Sequence, residues 1–154
     1  MKALALLQPW ATLLCAGIKT VETRKFETDY RGEVHVYAGE RGVPLNPEMA
    51  DIIMETLGFS LPAFPSGGII GKVEITHCLP ASEWVGNLKS FGWRNLLERE
   101  RILGDLSEGR YVWIIDKPVL FEKIVPCKGG TAIWDLEGDT IDQLQYATIV
   151  KKVR

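Results

Sequence analysis

Three residues of unlike chemistry sit close together near the start of the chain: Lys19, Glu22 and Arg24, in the run Gly17-Ile18-Lys19-Thr20-Val21-Glu22-Thr23-Arg24. An ammonium can hold a phosphate or a carbonyl, or serve as a base once desolvated. A carboxylate can orient a base edge or pass a proton. A guanidinium offers a planar fork to phosphate or carboxylate. In an extended strand Glu22 and Arg24 share a face, while Lys19 starts on the other one. One shared pocket therefore requires a bend near Thr20. Taken singly, each residue also has a plain role. Lys19 would complement the end of a helix dipole, and Glu22 with Arg24 would form a surface ion pair worth about 0–1 kcal/mol. So many charges on one short alternating strand after a helix make a poor core and suit the mouth of a polar cleft.

Further candidates lie elsewhere in the chain. Gln8 and Trp10 flank a proline suited to the first turn of a helix, whose free amides could meet an anion. Trp10 serves equally well as a core anchor. Lys72 and Glu74 share a face of an alternating strand, exposed or lining a cleft. Tyr111 and Trp113 share another, where core packing competes with stacking on a nucleobase. Lys128, followed by Gly129 and Gly130, could cradle a phosphate through backbone amides. His35 and His77 have no carboxylate or serine at triad spacing and are expected to be structural.

The elements that must position these residues follow from periodicity. Residues 2–7 are expected as a buried strand, 10–16 as a short helix ended by Gly17, and 19–24 as a strand. An alternating strand follows over 33–38 with Val34, Val36 and Ala38 inward, then a loop over 39–47. A helix opened by Pro47 runs to residue 57 and is ended by Gly58. A loop over 60–68 precedes a strong strand over 69–78. The stretch 82–104 is less regular and contains a helix over 94–103. Strands over 110–116 and 119–125 are separated by a tight connection at Lys117-Pro118. A glycine-bearing loop at Lys128, the segment 133–136, a helix over 139–146 and a last strand with a basic tail complete the chain. The pattern predicts an α+β protein with a small closed or partly closed barrel.

The chain has 154 residues, 46% hydrophobic and 25% charged, with a formal net charge of −2. That size suits one domain, 1–154, with a sizeable core. The charge argues against a broad duplex-binding face, which would be basic, but leaves room for a cleft that takes a nucleotide or a short single strand. The three cysteines, Cys15, Cys78 and Cys127, are odd in number and lack C-x-x-C spacing. They are expected as small buried hydrophobes in a reducing cytoplasm. No metal, cofactor or membrane span is expected. The apolar start ends at Gln8-Pro9-Trp10 without a small-residue cleavage site, so it is expected as a strand and not a leader.

The Gln-Pro-Trp segment and the spacing Gly17-x-Lys19-x-x-Glu22-x-Arg24 resemble the signature of the ASCH domain family of the PUA-like superfamily. Two further blocks occur in the family's order. One is Gly68-Ile69-Ile70-Gly71-Lys72-Val73-Glu74-Ile75. The other is Gly109-Arg110-Tyr111-Val112-Trp113, followed by Pro126-Cys127-Lys128-Gly129 and Trp134. The resemblance implies a PUA-like small β-barrel with flanking helices and a cleft between barrel and helix. It implies a ligand such as single-stranded RNA or a nucleoside or nucleotide, bound by Gln8, Trp10, Lys19, Glu22, Arg24, Tyr111, Trp113 and Lys128. Some small members of the family are amidohydrolases of N4-acylated cytidines, and ribonuclease activity is attributed to others. If this chain is an enzyme of that kind, Lys19, Glu22 and Glu74 are the candidate catalytic residues. Lys19 matches the lysine of the amidohydrolases, but Glu22 stands where they carry threonine. A third reading is a protein–protein adaptor.

Overall fold

Arg24 donates a 2.6 Å hydrogen bond to the carbonyl of Ala5, although the two residues lie on strands far apart in the same sheet. That contact expresses the architecture. The computed structural model describes residues 1–42, 45–57 and 64–147. Its strands are β1 (Lys2–Gln8), β2 (Val21–Arg24), β3 (Gly32–Gly42), β4 (Gly68–Pro80), β5 (Tyr111–Pro126) and β6 (Ile133–Asp135). They form one mixed sheet in the order β2-β5-β4-β3-β1-β6. Among the described residues β1 and β3 pair in parallel, and the other pairings are antiparallel. The sheet curls until β2, at one edge, faces β1 near the other. The result is a half-barrel with flanking helices, a PUA-like α+β fold.

Helix α1 (Trp10–Cys15) plugs this half-barrel. Ala11, Thr12, Leu13, Leu14 and Cys15 are all buried, as a helix that is apolar on every side must be. Ala11, Leu14 and Cys15 pack with Leu4, Val34, Val36, Ile70, Val73 and Trp113 in the barrel core. Leu13 points the other way, into a cluster with α2 (Pro47–Leu57) and α4 (Arg94–Leu103). Helix α3 (Ala81–Phe91) packs with α4 over β2 and β5, through Trp84, Leu88, Leu97 and Val112. Helix α5 (Gly138–Leu144) lies against β5.

The close fit of α1 to the sheet explains Gly71. A Cβ there would lie 2.8 Å from Cys15 Sγ and closer still to the carbonyl of Val119, separations that real side chains do not tolerate. Burial raises the Cys15 thiol far above its ordinary pKa, so this cysteine is an inert core residue.

Several expected boundaries change. The strand expected to end at Ala38 continues to Gly42, because β1 goes on pairing with it after the β4 ladder stops at Ala38. His35 and Tyr37 are buried along with the residues that alternate with them, His35 beside Phe121 and Tyr37 against Trp134. Burial lowers the His35 pKa, so its imidazole is held neutral against Phe121. Helix α3 occupies the first part of 82–104, which is more regular than its sequence pattern. Lys117-Pro118 is not a hairpin turn: β5 passes through it, with Lys117 at φ 48° and a shift of register against β4. Gly58, residues 60–63 of the expected loop and the last strand with its basic tail lie outside the described residues.

Candidate functional site

Helix α1 ends at Gly17, whose φ of +78° is a conformation that suits glycine. The turn lets the amides of Ile18 and Lys19 both reach the carbonyl of Leu13, at 3.0 and 3.1 Å. Lys19 is thereby fixed before β2 begins, and its side chain is not committed to the strand's alternation. It turns inward and is only 2% exposed. Lys19 Nζ donates to the carbonyl of Val21 and lies 3.5 Å from Glu100 Oε2.

Glu100 is 0% exposed. Its Oε1 accepts from the amide of Thr20 at 2.7 Å and from the Thr20 hydroxyl at 2.9 Å. A buried carboxylate thus has a cation and two neutral donors, the arrangement a buried charge requires. Gly104 follows α4 and comes so close that a Cβ on it would sit 3.0 Å from Lys19 Nζ and 3.6 Å from Thr23 Oγ1. The lysine, the Thr23 hydroxyl and Glu100 thus converge on the C-terminal end of α4.

Above this floor opens a cleft of about 430 Å³, between β1, β2, α1 and the chain that leaves α4. Lys19, Glu22, Thr23 and Arg24 line one side, Ala5, Leu6, Leu7 and Trp10 another, and Gly104, Asp105 and Arg110 the third. Glu22 Oε2 lies 3.5 Å from the Arg24 guanidinium, and its other oxygen accepts from the amide of Thr23 at 2.9 Å. Arg24 lies over the Trp113 ring, 5.5 Å from its centroid. Arg110 donates to the carbonyl of Thr23 at 3.2 Å. Its Nε is buried and makes no hydrogen bond, although Asp105 Oδ2 is 3.5 Å away. Hydrogen bonds from Ser107, with a smaller contribution from Arg110, hold the Asp105 carboxyl below the usual carboxylate range. Three cations thus face three carboxylates, each pair at a separation longer than the 2.7–2.9 Å of a strong charge-assisted bond.

The other residues expected in this site lie elsewhere or are occupied. Gln8 is buried beneath it, bonded to Thr12 twice and to the carbonyl of Pro65. Trp113 is 1% exposed and donates its indole N–H to the carbonyl of Phe26, so no base can stack on it. Tyr111 packs, half-buried, against the barrel core. Glu74 is on β4, 3.2 Å from Lys117 and away from the cleft. Lys128 borders a separate hollow with Trp134 and Glu137. Trp10 does line the cleft, with its N–H bound to the carbonyl of Leu103 at 2.6 Å.

Sequence reasoning missed Glu100, Asp105 and Arg110. Glu100 carried a signal. Leu97, Glu100 and Leu103 recur every third residue, so this carboxylate sits on the apolar stripe of α4.

The family model of the ASCH domain matches residues 4–124. The chain belongs to the ASCH domain family. Among curated relatives, a segment of activating signal cointegrator 1 from Mus musculus is 28% identical over an alignment of 141 residues that covers 87% of this chain. The Homo sapiens protein of the same name is 27% identical over 140 residues. The chain spans 22% of the length of each of these relatives. Among solved structures, ASCH from Zymomonas mobilis superposes with a TM-score of 0.60 at 12% identity, covering 97% of both chains. A serine-to-alanine mutant of that protein gives 0.53 at 13% identity, covering 96% of each. At these identities the likeness establishes a shared ASCH fold. Among the described residues no group of three or more His, Cys, Asp or Glu could hold a metal, and no helix is long and apolar enough to cross a membrane.

Proposed function

We propose that this ASCH domain binds a nucleotide-sized ligand, as a free nucleotide or as one residue of single-stranded RNA, in the cleft above Lys19 and Glu100. The supporting observation is the composition of that cleft. Apolar walls from Ala5, Leu6, Leu7 and Trp10 suit a planar base, and the Arg24 and Arg110 guanidiniums line the same cleft. The volume of about 430 Å³ lies within the range of small-molecule pockets. The lining carries three cations, Lys19, Arg24 and Arg110, against two carboxylates, Glu22 and Asp105, and this small positive excess suits one phosphate better than a polyphosphate. Lys19 has three N–H donors. Val21 and Glu100 engage two of them, which leaves one for a base carbonyl.

Isothermal titration with nucleoside monophosphates and short single-stranded RNA tests this reading. Arg110→Gln should weaken binding about 10- to 150-fold, the value of one hydrogen bond to a charged group. The dependence on salt should be shallow, about 0.7 per phosphate neutralised and one to two phosphates in all. A steep slope with preference for duplex would mean that a broad basic face, not this cleft, carries binding.

A second reading is favoured by one feature. The Thr23 hydroxyl and Lys19 Nζ both lie close to Gly104, and Glu100 is 3.5 Å from the lysine, so a hydroxyl, an amine and a carboxylate of the kinds used in amide hydrolysis lie near one another. In this reading Glu100 takes the part expected of Glu74. The substrate would be an N4-acylated cytidine. Because Lys19 already donates to a carbonyl and a carboxylate, we expect no release of cytidine from N4-acetylcytidine above that of Lys19→Ala. Efficient turnover by the unaltered protein, lost in Lys19→Ala, would place the hydrolase first.

A further inference from the structure

We infer that the corner between α3 and α4 is a second contact for single-stranded nucleic acid, a stacking platform made by Phe91 and Trp93. These two side chains are among the most exposed large hydrophobic groups of the described residues, at 67% and 57%. They lie against each other with ring centroids 5.7 Å apart and planes at 38°. An exposed aromatic pair on a folded surface calls for a reason.

The backbone beneath is built, not slack. Helix α3 closes on Gly92 in the left-handed conformation, with φ 74°. The amide of Trp93 bonds to the carbonyl of Leu88 at 2.9 Å, and that of Gly92 to Lys89 at 3.2 Å. This paired closure fixes both aromatic residues on a short, rigid turn. The rings are thus presented at little conformational cost.

Charge selects the partner. The exposed run Lys89-Ser90-Phe91-Gly92-Trp93-Arg94-Asn95 contains two cations and no carboxylate, in a chain whose net charge is −2. Aromatic faces flanked by cations match a strand of bases joined by phosphates. An apolar or cationic protein partner would gain nothing from Lys89 and Arg94.

Position connects the corner to the cleft. Trp93 caps the N-terminal end of α4, and Gly104, at the other end, lines the cleft. Ten helical residues span about 15 Å. That separation is a few nucleotides of an extended strand, within the footprint of one small single-strand binding domain. Helix α4 would then set the spacing between a base held in the cleft and a base stacked on the corner. The choice of partner rests on the nucleotide reading of the cleft, whereas the test below reads the corner by itself.

The test compares the unaltered protein with Trp93→Ala, Phe91→Ala and the double variant. Ligands are adenosine monophosphate and labelled adenylate hexamers of RNA and of DNA, which together distinguish the two sugar chemistries. Both side chains are exposed and Gly92 is untouched, so thermal denaturation should be unchanged. Stacking lost at one base should weaken hexamer binding about 5- to 150-fold, with monophosphate affinity unaltered. Hexamer binding that needs Trp93, without any monophosphate binding, supports the corner and overturns the free-nucleotide form of the cleft reading. Unchanged hexamer affinity in the double variant, or no hexamer binding by the unaltered protein, overturns the corner and leaves the monophosphate result to decide the cleft.

Discussion

Glu100→Ala should destabilise the protein by about 3–5 kcal/mol, the usual loss when one partner of a buried ion pair is removed. The side chain is fully buried and takes on three groups at once, Lys19 Nζ and the amide and hydroxyl of Thr20. Alanine leaves the Lys19 ammonium inside the protein with the Val21 carbonyl as its remaining partner. It also orphans the Thr20 amide and opens a void between α4 and the start of β2. For a chain of this length each kcal/mol corresponds to roughly 2–4 °C in Tm, so the transition should fall by about 6–20 °C. Urea denaturation gives the free energy directly. A loss under about 1 kcal/mol, the range of an exposed pair, would mean that water reaches Lys19 and that the pair is not buried in solution. Glu100→Gln keeps the shape and an acceptor for Thr20 but still strands the cation, so it should recover only part of the loss.

That carboxylate marks the limit of what the chain discloses as a string of letters. Lys19, Glu22 and Arg24 announce themselves by proximity, and the structure gathers all three around one cleft. The bend that the alternation demanded is supplied by Gly17 and by the two amides bonded to Leu13. Helix α4 has the bounds expected from the sequence, 94–103. The opposite wall could not be read from it. Asp105 and Arg110 lie far from Lys19 in sequence and reach it only because α4 and β5 bring them back.

Trp113 illustrates the converse. An aromatic residue on an alternating strand suits a base and a core equally well, and only closure of the half-barrel around α1 decides between them. Lys117-Pro118 fails as a turn for a related reason. Its residues favour a turn locally, yet the long pairing of β4 with β5 on both sides outweighs that preference and leaves a bulge. Phe91 and Trp93 escape pattern reading because hydrophobic residues at a helix end are ordinarily counted as core. Their exposure is visible only in three dimensions.

A double replacement separates what the Lys19–Glu100 pair does for the fold from what it does for the ligand. Lys19→Met with Glu100→Leu substitutes apolar side chains of comparable length for both charges. Such exchanges of buried ion pairs are often neutral, or stabilise by about 1–4 kcal/mol, because the desolvation cost disappears along with the attraction. Here the gain is offset by the Thr20 amide and hydroxyl, which lose their acceptor. The double variant should therefore fall close to the unaltered protein in urea denaturation and far above Glu100→Ala. Ligand binding should not recover with it. Without the ammonium at the floor, affinity for a nucleoside monophosphate should drop about 10- to 150-fold, as for any lost hydrogen bond from a charged donor. Stability restored and binding lost would mean that the pair is retained for recognition, at no benefit to the fold. Binding retained at full strength would place the affinity in Arg24 and Arg110 alone and reduce Lys19 to a structural cation.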